Sequence, residues 1–385
     1  MIYLDHAATT RPAPEVVEAM LPYLTTHYGN ASSLYSLGRE SRKAIEQTRE
    51  LAAAFFGCRP QEILFTSGGS ESDNLALRGV LWALRSRGDH LITTEVEHHA
   101  VLYAARALER QGFRVTYLKP DRLGRIAVEQ VADAITDRTT LISVMHGNNE
   151  VGSLQPIAGI GQLARDRGIL FHTDAVQTVG QLPLNVRDIP CDLLSMSAHK
   201  VYGAKGVGLL YRRIGVPLVS QISGGDQEYN QRAGTENVAG IVGLGVALEL
   251  AFRALQEGES ERARRLRDRL IAGVLAALPD AELTGHPEER LPNHASFRFP
   301  HIEGEPLLLN LDMRGICGSS GAACATGEIE PSHVLLALGY TRPEAHGALR
   351  LTLGRENTVE QIEVVIRALP PLVQSLRALH TPDPG

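Results

Sequence analysis

The stretch 195-SMSAHKVYGAKG-206 ends one apolar run and turns polar at once. The run 192-DLLSMS-197 predicts a strand, so Ser197, His199 and Lys200 fall at its carboxyl end. Lysine is scarce here. The 38 Lys and Arg residues include four lysines: Lys43, Lys119, Lys200 and Lys205. Lys43 and Lys205 have no comparable context, and Lys119 precedes Pro120 in a predicted turn. A buried amine loses its proton readily and makes a good imine-forming nucleophile.

Working outward, six more runs read as strands: 62-EILFT-66, 90-HLITT-94, 114-RVTYL-118, 140-TLISVMH-146, 169-ILFHT-173 and 207-VGLLYR-212. Most are separated by helical patterns such as 74-NLALRGVLWALRS-86 and 100-AVLYAARALERQG-112. Such alternation predicts an α/β fold with a mainly parallel sheet flanked by helices. A helical stretch over Glu236–Leu278, broken near Gly258, leads out of it. Beyond lie strand patterns at 294-HASFRF-299 and 349-LRLTL-353, with capping-box spacing at Thr341/Glu344 and Thr358/Gln361. We take residues 15–255 as a large domain, and 1–14 with 256–385 as a smaller α+β domain.

Composition excludes several classes. A net charge of −6 and a pI near 6.2 argue against nucleic acid as a partner. The run 261-ERARRLRDRL-270 alternates charge signs and reads as a solvated helix face. The longest apolar run, Val238–Leu248, is interrupted by glycine and followed by Glu249, short of the roughly 20 residues a membrane span needs. The N-terminus lacks a signal-peptide pattern. Cys58, Cys191, Cys317 and Cys324 are scattered without a CxxC pair, which suits free thiols in a reducing, cytoplasmic compartment better than disulfides or a metal site.

In open α/β sheets ligands bind beyond the carboxyl ends of strands. The residues there form a set. The turn 66-TSGGSESDN-74, with Gly69 and Ser70, reads either as an anion cradle at a helix N-terminus or as a plain capped start. In 95-EVEHHAV-101, His98 and His99 are each either functional or structural. A polar cluster, 146-HGNNEVG-152, follows another strand. In 172-HTDAVQTVG-180, Asp174 would be costly to bury without a cationic partner. A lysine, a carboxylate, an aromatic histidine and an anion site together suit pyridoxal phosphate, which needs the lysine, the carboxylate and the anion site. No strand is followed by GxGxxG, which excludes a nicotinamide dehydrogenase.

With these motifs in this order, the chain resembles the cysteine desulfurases, class V aminotransferases of the aspartate aminotransferase-like pyridoxal phosphate fold type I. The resemblance runs from 3-YLDHAATT-10 and 28-YGNASS-33 through the stretches above to 232-RAGTEN-237, 319-SSGAAC-324, 330-EPSHVL-335 and 350-RLTLG-354. It implies that Lys200 holds the cofactor and later takes the substrate Cα proton. Asp174 would pair with the ring nitrogen, Gln177 with the ring oxygen, and His98 would stack on the ring. Gly69, Ser70, Ser197 and His199 would hold the phosphate, with Thr235 reaching in from a partner subunit of a homodimer. Asn149 and Arg350 would hold the carboxylate of L-cysteine, although Asn149 also reads as a turn residue and Arg350 as a surface strand arginine.

Cys324 would attack the substrate sulfur, giving alanine and a Cys324 persulfide. The spacing of 325-ATGEIEPSHV-334 resembles the nitrogen-fixation and housekeeping type, which hands sulfur to protein acceptors such as an iron–sulfur scaffold. The small residues of 318-GSSGAACATGE-328 predict a loop free to swing. Ala31, Tyr35, Ala204, Asp226 and Ala322 depart from the usual pattern, and Tyr35 and Asp226 leave their loops open. A selenocysteine lyase, another class V enzyme, or a non-catalytic sulfur carrier are the alternatives.

Overall fold

A computed structural model describes residues 1–320 and 331–380. Seven strands make the main sheet: β1 (Ile63–Thr66), β2 (His90–Thr94), β3 (Arg114–Leu118), β4 (Thr139–Ser143), β5 (Leu170–Asp174), β6 (Leu193–Ser197) and β7 (Gly208–Arg212). Their spatial order is β1-β7-β6-β5-β4-β2-β3. β7 runs antiparallel to both neighbours, and the other pairings are parallel. The carboxyl ends of β1, β2, β4, β5 and β6 therefore open on one side.

Both faces of this sheet are covered, which is why its strands read as nearly unbroken apolar runs. Leu64, Leu91, Leu141, Leu193 and Leu210 pack under helix α1 (Gly69–Ala83) and helix α2 (His99–Glu109). Phe65, Ile92, Ile142, Phe171, Leu194 and Leu209 face the opposite core. The strand expected over 140–146 ends at Ser143, yet the Val144 and His146 N–H groups still donate to the His172 and Asp174 carbonyls (3.1 and 2.9 Å). Pairing thus continues past the regular strand and draws His146 beside Asp174.

The stretch 236–278 is two helices, Val238–Gln256 and Glu259–Ala277, parted by Gly258 at φ 84°. Val238–Gln256 is longer than the run read from sequence, and by length and a mean hydropathy of 1.8 it is long and apolar enough for a membrane span. Its Ile241, Leu244 and Leu248 are buried, and the helix packs on Pro14–Thr25 and Ser36–Phe56. In the second helix, Arg264 and Arg265 pair with Glu261 as a solvated face should. Arg267 departs from that reading; it is buried and donates to the Leu291 carbonyl at 3.0 Å.

A second sheet orders Ala348–Thr352, His294–Arg298 and Glu282–Leu283, all antiparallel, over its own core of Phe297, Phe299, Leu349 and Leu351. The N-terminus joins this core. Ile2–Tyr3 pairs with Ile316–Cys317, Leu4 is buried there, and Asp5 bridges to Thr352. Both expected capping boxes form, at Thr341/Glu344 and Thr358/Gln361.

The segment after Asp226 holds an unusual turn. Glu228, Tyr229 and Asn230 are successive left-handed residues, with φ of 46°, 58° and 64°. None is glycine, so the conformation costs energy that neighbours must offset. Glu228 supplies it. Its carboxylate takes both Arg49 Nη groups at 2.8 Å and the Phe65 N–H at 2.9 Å, while Arg49 lies over the Phe65 and Tyr229 rings. Removing one partner of a buried pair strands the other charge. Glu228→Ala is therefore expected to cost about 3–5 kcal/mol in urea unfolding; a loss under 1 kcal/mol would contradict this account.

Candidate active site

The strand ends surround a cavity of about 400 Å³. Its wall begins at the turn after β1. Gly68 sits at φ 151°, ψ −176°, a region open to glycine alone. A Cβ on Gly69 would meet Val176 Cγ2 at 2.8 Å, and one on Gly208 would meet Gly68 Cα at 2.7 Å. The close fit needs these glycines and leaves the first N–H groups of α1 beside Ser70 and Ser197, both on the cavity wall.

Lys200 ends a short 3₁₀ turn after β6. Its Nζ donates to the Ala7 and Ala8 carbonyls, at 2.5 and 2.7 Å. Burial pushes the amine down to about 8, aided by Arg350 and opposed by Asp5 and Asp174. Asp174, the last residue of β5, accepts from the Val176 N–H at 2.9 Å. Burial raises its carboxyl to about 6, against the pull of that N–H and of Lys200. Gln177 Nε2 donates to the same Ala7 carbonyl at 3.0 Å.

His98 caps α2. Its Nδ1 accepts from the Ala100 N–H at 3.1 Å, which leaves the ring proton on Nε2. Burial lowers it to about 4, with Lys200, His99 and His333 adding to the effect. His199 is likewise pushed down to about 4 by burial, and its Nδ1 lies 3.1 Å from Thr9 Oγ1.

Arg350 is no surface arginine: it is buried on the strand Ala348–Thr352. One Nη donates to the Asn149 carbonyl and the other to Asp5 Oδ1, each at 2.8 Å, while Nε has no partner. Asn149 also lines the cavity; the turn itself is built by Asn148, whose side chain accepts from the Glu150 and Val151 N–H groups.

Ten of the twelve expected residues thus line one cavity: Lys200, His98, Asp174, Gln177, Gly69, Ser70, Ser197, His199, Asn149 and Arg350. Thr235 is exposed and away from it. Cys324, with residues 321–330 and so the expected swinging loop, lies outside the described residues. The sequence reading missed Asp73, Glu150 and His333 on the same wall, and Glu97 behind it. Burial raises Glu97 to about 8 and Glu150 to about 7. Each adjoins or lies within a motif already singled out, which was the available signal.

The sequence profile described as aminotransferase class-V matches residues 2–365. The chain belongs to this family. Within it, the chain stands among the cysteine desulfurases. It is 50% identical over 380 residues to the cysteine desulfurase IscS of Clostridium botulinum (strain Hall), covering 98% of this chain and 96% of that protein. The cysteine desulfurase IscS of Methanosarcina thermophila is 49% identical over 383 residues, covering 100% of this chain and 94% of its own. A solved NifS-like protein superimposes with TM-score 0.91 at 36% identity, over 97% of this chain and 100% of that one. A structure of SspA in complex with cysteine matches with TM-score 0.81 at 36% identity, over 92% and 99%.

The family depends on pyridoxal phosphate, and the cavity fits it. A glycine-only turn at a helix start suits the phosphate. The unpartnered polar atoms Arg350 Nε and Asp73 Oδ1 belong to residues on the cavity wall, where a polar ligand is expected.

Two outcomes follow for the ligand-free protein. Gly68→Ala forces a side chain into a glycine-only conformation, so it should lose about 1–3 kcal/mol of stability in urea and bind pyridoxal phosphate more weakly. Stability should also fall on the acid side of neutrality. His98, His146 and His199 are held near 4 and His172 near 3 by burial. Unfolded histidine takes up a proton around pH 6.5, so their contribution is lost as pH falls from there toward about 4. Glu97 and Glu150 are shifted upward, so theirs is lost as pH rises from about 4.5 through 7 to 8. Lys200, held near 8 by burial, adds stability as pH rises past that value, so the acid side is decisive: a urea midpoint that does not fall as pH is lowered from 6.5 to 4 would contradict this account.

Proposed function

We propose that this cavity binds pyridoxal phosphate and L-cysteine and releases L-alanine, leaving the sulfur on Cys324 as a persulfide. One observation carries the reading: an amine lowered toward neutrality, a buried carboxylate, a histidine and an arginine fork border a single cavity at the strand ends. When bound, the cofactor supplies an electron sink that weakens bonds next to the substrate amino group.

The chain's residues supply the rest. Lys200 anchors the cofactor, and its lowered basicity leaves it able to take and return a proton at the substrate Cα. Asp174 would pair as an anion with the ring nitrogen, and Gln177 with the ring oxygen. His98 covers the ring and carries its proton on Nε2. The α1 N-terminus, with Gly69, Ser70, Ser197 and His199, takes the phosphate, and Thr235 of a second copy completes it; the exposure of Thr235 suits that role. Arg350 and Asn149 take the substrate carboxylate. Since Asp5 already accepts from one Nη, substrate binding exchanges one carboxylate for another.

Cys324 Sγ, as thiolate, attacks the substrate sulfur; the S–S bond forms as the substrate C–S bond breaks, and the carbon takes a proton. No oxidant is required. The persulfide then passes to a protein acceptor of an iron–sulfur or thio-cofactor route. Free Cys58, Cys191 and Cys317 agree with a cytoplasmic setting. Separate cores under the two sheets support the division into 15–255 and 1–14 with 256–385.

The purified protein with pyridoxal phosphate should be yellow, and Lys200→Ala should abolish the colour. Cys324→Ala should keep the colour and lose sulfide release from L-cysteine. A variant that still makes sulfide at the wild-type rate would remove Cys324 from the reaction.

A further inference from the structure

Beneath the cavity floor the sheet face toward α1 is leucine-rich, apart from one polar island. Side chains alternate along a strand, so His172 and Asp174 of β5, Ser195 of β6 and Ser143 of β4 share this face with Leu141 and Leu193. His172 is fully buried and bridges two hydroxyls, with Ser143 Oγ at 2.9 Å from Nδ1 and Ser195 Oγ at 3.0 Å from Nε2. From above, α1 lowers Asp73 onto the island. Its side chain is 1% exposed, and its Oδ1 lies 3.6 Å from His172 Nε2 without a hydrogen-bond partner. Asp73 also lines the cavity beside Asp174.

We propose that Asp73 is a positioning residue that holds a proton of its own and so keeps the cavity floor at one negative charge, located on Asp174. The inference rests on the pyridoxal phosphate reading, because that single charge is what a protonated ring nitrogen requires.

Two neighbouring buried carboxyls cannot both ionise cheaply, and the surroundings decide which one does. Asp174 has the Val176 N–H and the Lys200 amine to favour its anion. Asp73 has no cation. The charged or titratable groups that face it are Asp174 and His172 on β5 and Glu97 before α2. Burial first, then Asp174, and more weakly Glu97, raise Asp73 well above the ordinary range; the Ser195 hydroxyl only partly opposes them. His172 cannot serve as counter-charge, since burial keeps it neutral down to about pH 3. It bridges hydroxyls as a neutral ring. The proton therefore sits on Asp73 and the charge on Asp174.

The test separates this from the cofactor reading. Infrared spectra of the ligand-free wild type at pH 7.5 should contain a protonated-carboxyl band that Asp73→Asn removes; absence of any such difference overturns the proposal, whatever the cofactor. In the loaded protein, ¹⁵N-labelled pyridoxal phosphate should report a protonated ring nitrogen in wild type. Asp73→Asn, neutral and of the same shape, should keep that signal and an affinity within about threefold of wild type. Asp73→Leu replaces the polar backing of Asp174 with hydrocarbon, so the signal should shift toward the unprotonated ring and the affinity fall about tenfold. Wild-type signal and affinity in the leucine variant, or loss of both in the asparagine variant, overturns the assignment. A wild type that takes up no pyridoxal phosphate fails the cofactor reading instead and leaves the infrared result standing.

Discussion

The Lys200 ammonium and the two carbonyls it reaches, those of Ala7 and Ala8, hold the structure's parts in register. Through them the N-terminal segment is fixed against the main sheet. Gln177 binds the same Ala7 carbonyl, and Thr10 exchanges hydrogen bonds with His199 and Tyr202. A few residues earlier the same segment belongs to the other sheet, with Leu4 in its core and Asp5 on Arg350. Ten residues thus fasten the amine donated by one sheet to the guanidinium donated by the other. The separation of Lys200 and Arg350 across the cavity is set by that short strap.

Electrostatics in the cavity follow from the same enclosure. Burial lowers the Lys200 amine to about 8 and raises Glu150 to about 7 and Asp174 to about 6, so amine and carboxyls converge, while His98 is pushed down to about 4 and stays neutral. A proton can then move between them at little cost. The floor holds the Asp174 carboxyl, and the walls offer donors: the α1 N-terminus, the Arg350 Nε and the His98 ring. The charge pattern matches an anionic ligand with a positive centre.

Much of this was legible in the sequence. Each strand is a short apolar run and each functional residue follows one, because the parallel sheet buries its length and exposes its ends. Lys200, Asp174 and His98 could be singled out for that reason, whereas Gln177 came only with the family resemblance. Asp73 could not. On a helix with Glu71 before it and Asn74 after it, an aspartate reads as solvated, and only the packing of α1 on β5 and β6 reveals that it faces inward. Glu97 and Glu150 were hidden likewise by their polar neighbours. Arg350 has both a functional and a superficial reading in the sequence because a strand's pattern does not say which face is covered. The left-handed turn at 228–230 carries no glycine to announce it; its cause, Arg49, lies 179 residues earlier.

The strap at the N-terminus also has a kinetic side. Asp5 finds Arg350 across 345 residues of chain, and Ala7 finds Thr352 across the same separation. Contacts so remote form late, because loop closure must come first. During synthesis the first ten residues leave the ribosome with no partner and wait while the seven-stranded sheet is assembled behind them. The cavity closes only when the last strand of the second sheet has been made. A chain interrupted before that point would carry Lys200, Asp174 and the Gly68 turn without Arg350, the one cavity-wall group that the second sheet donates from its last strand.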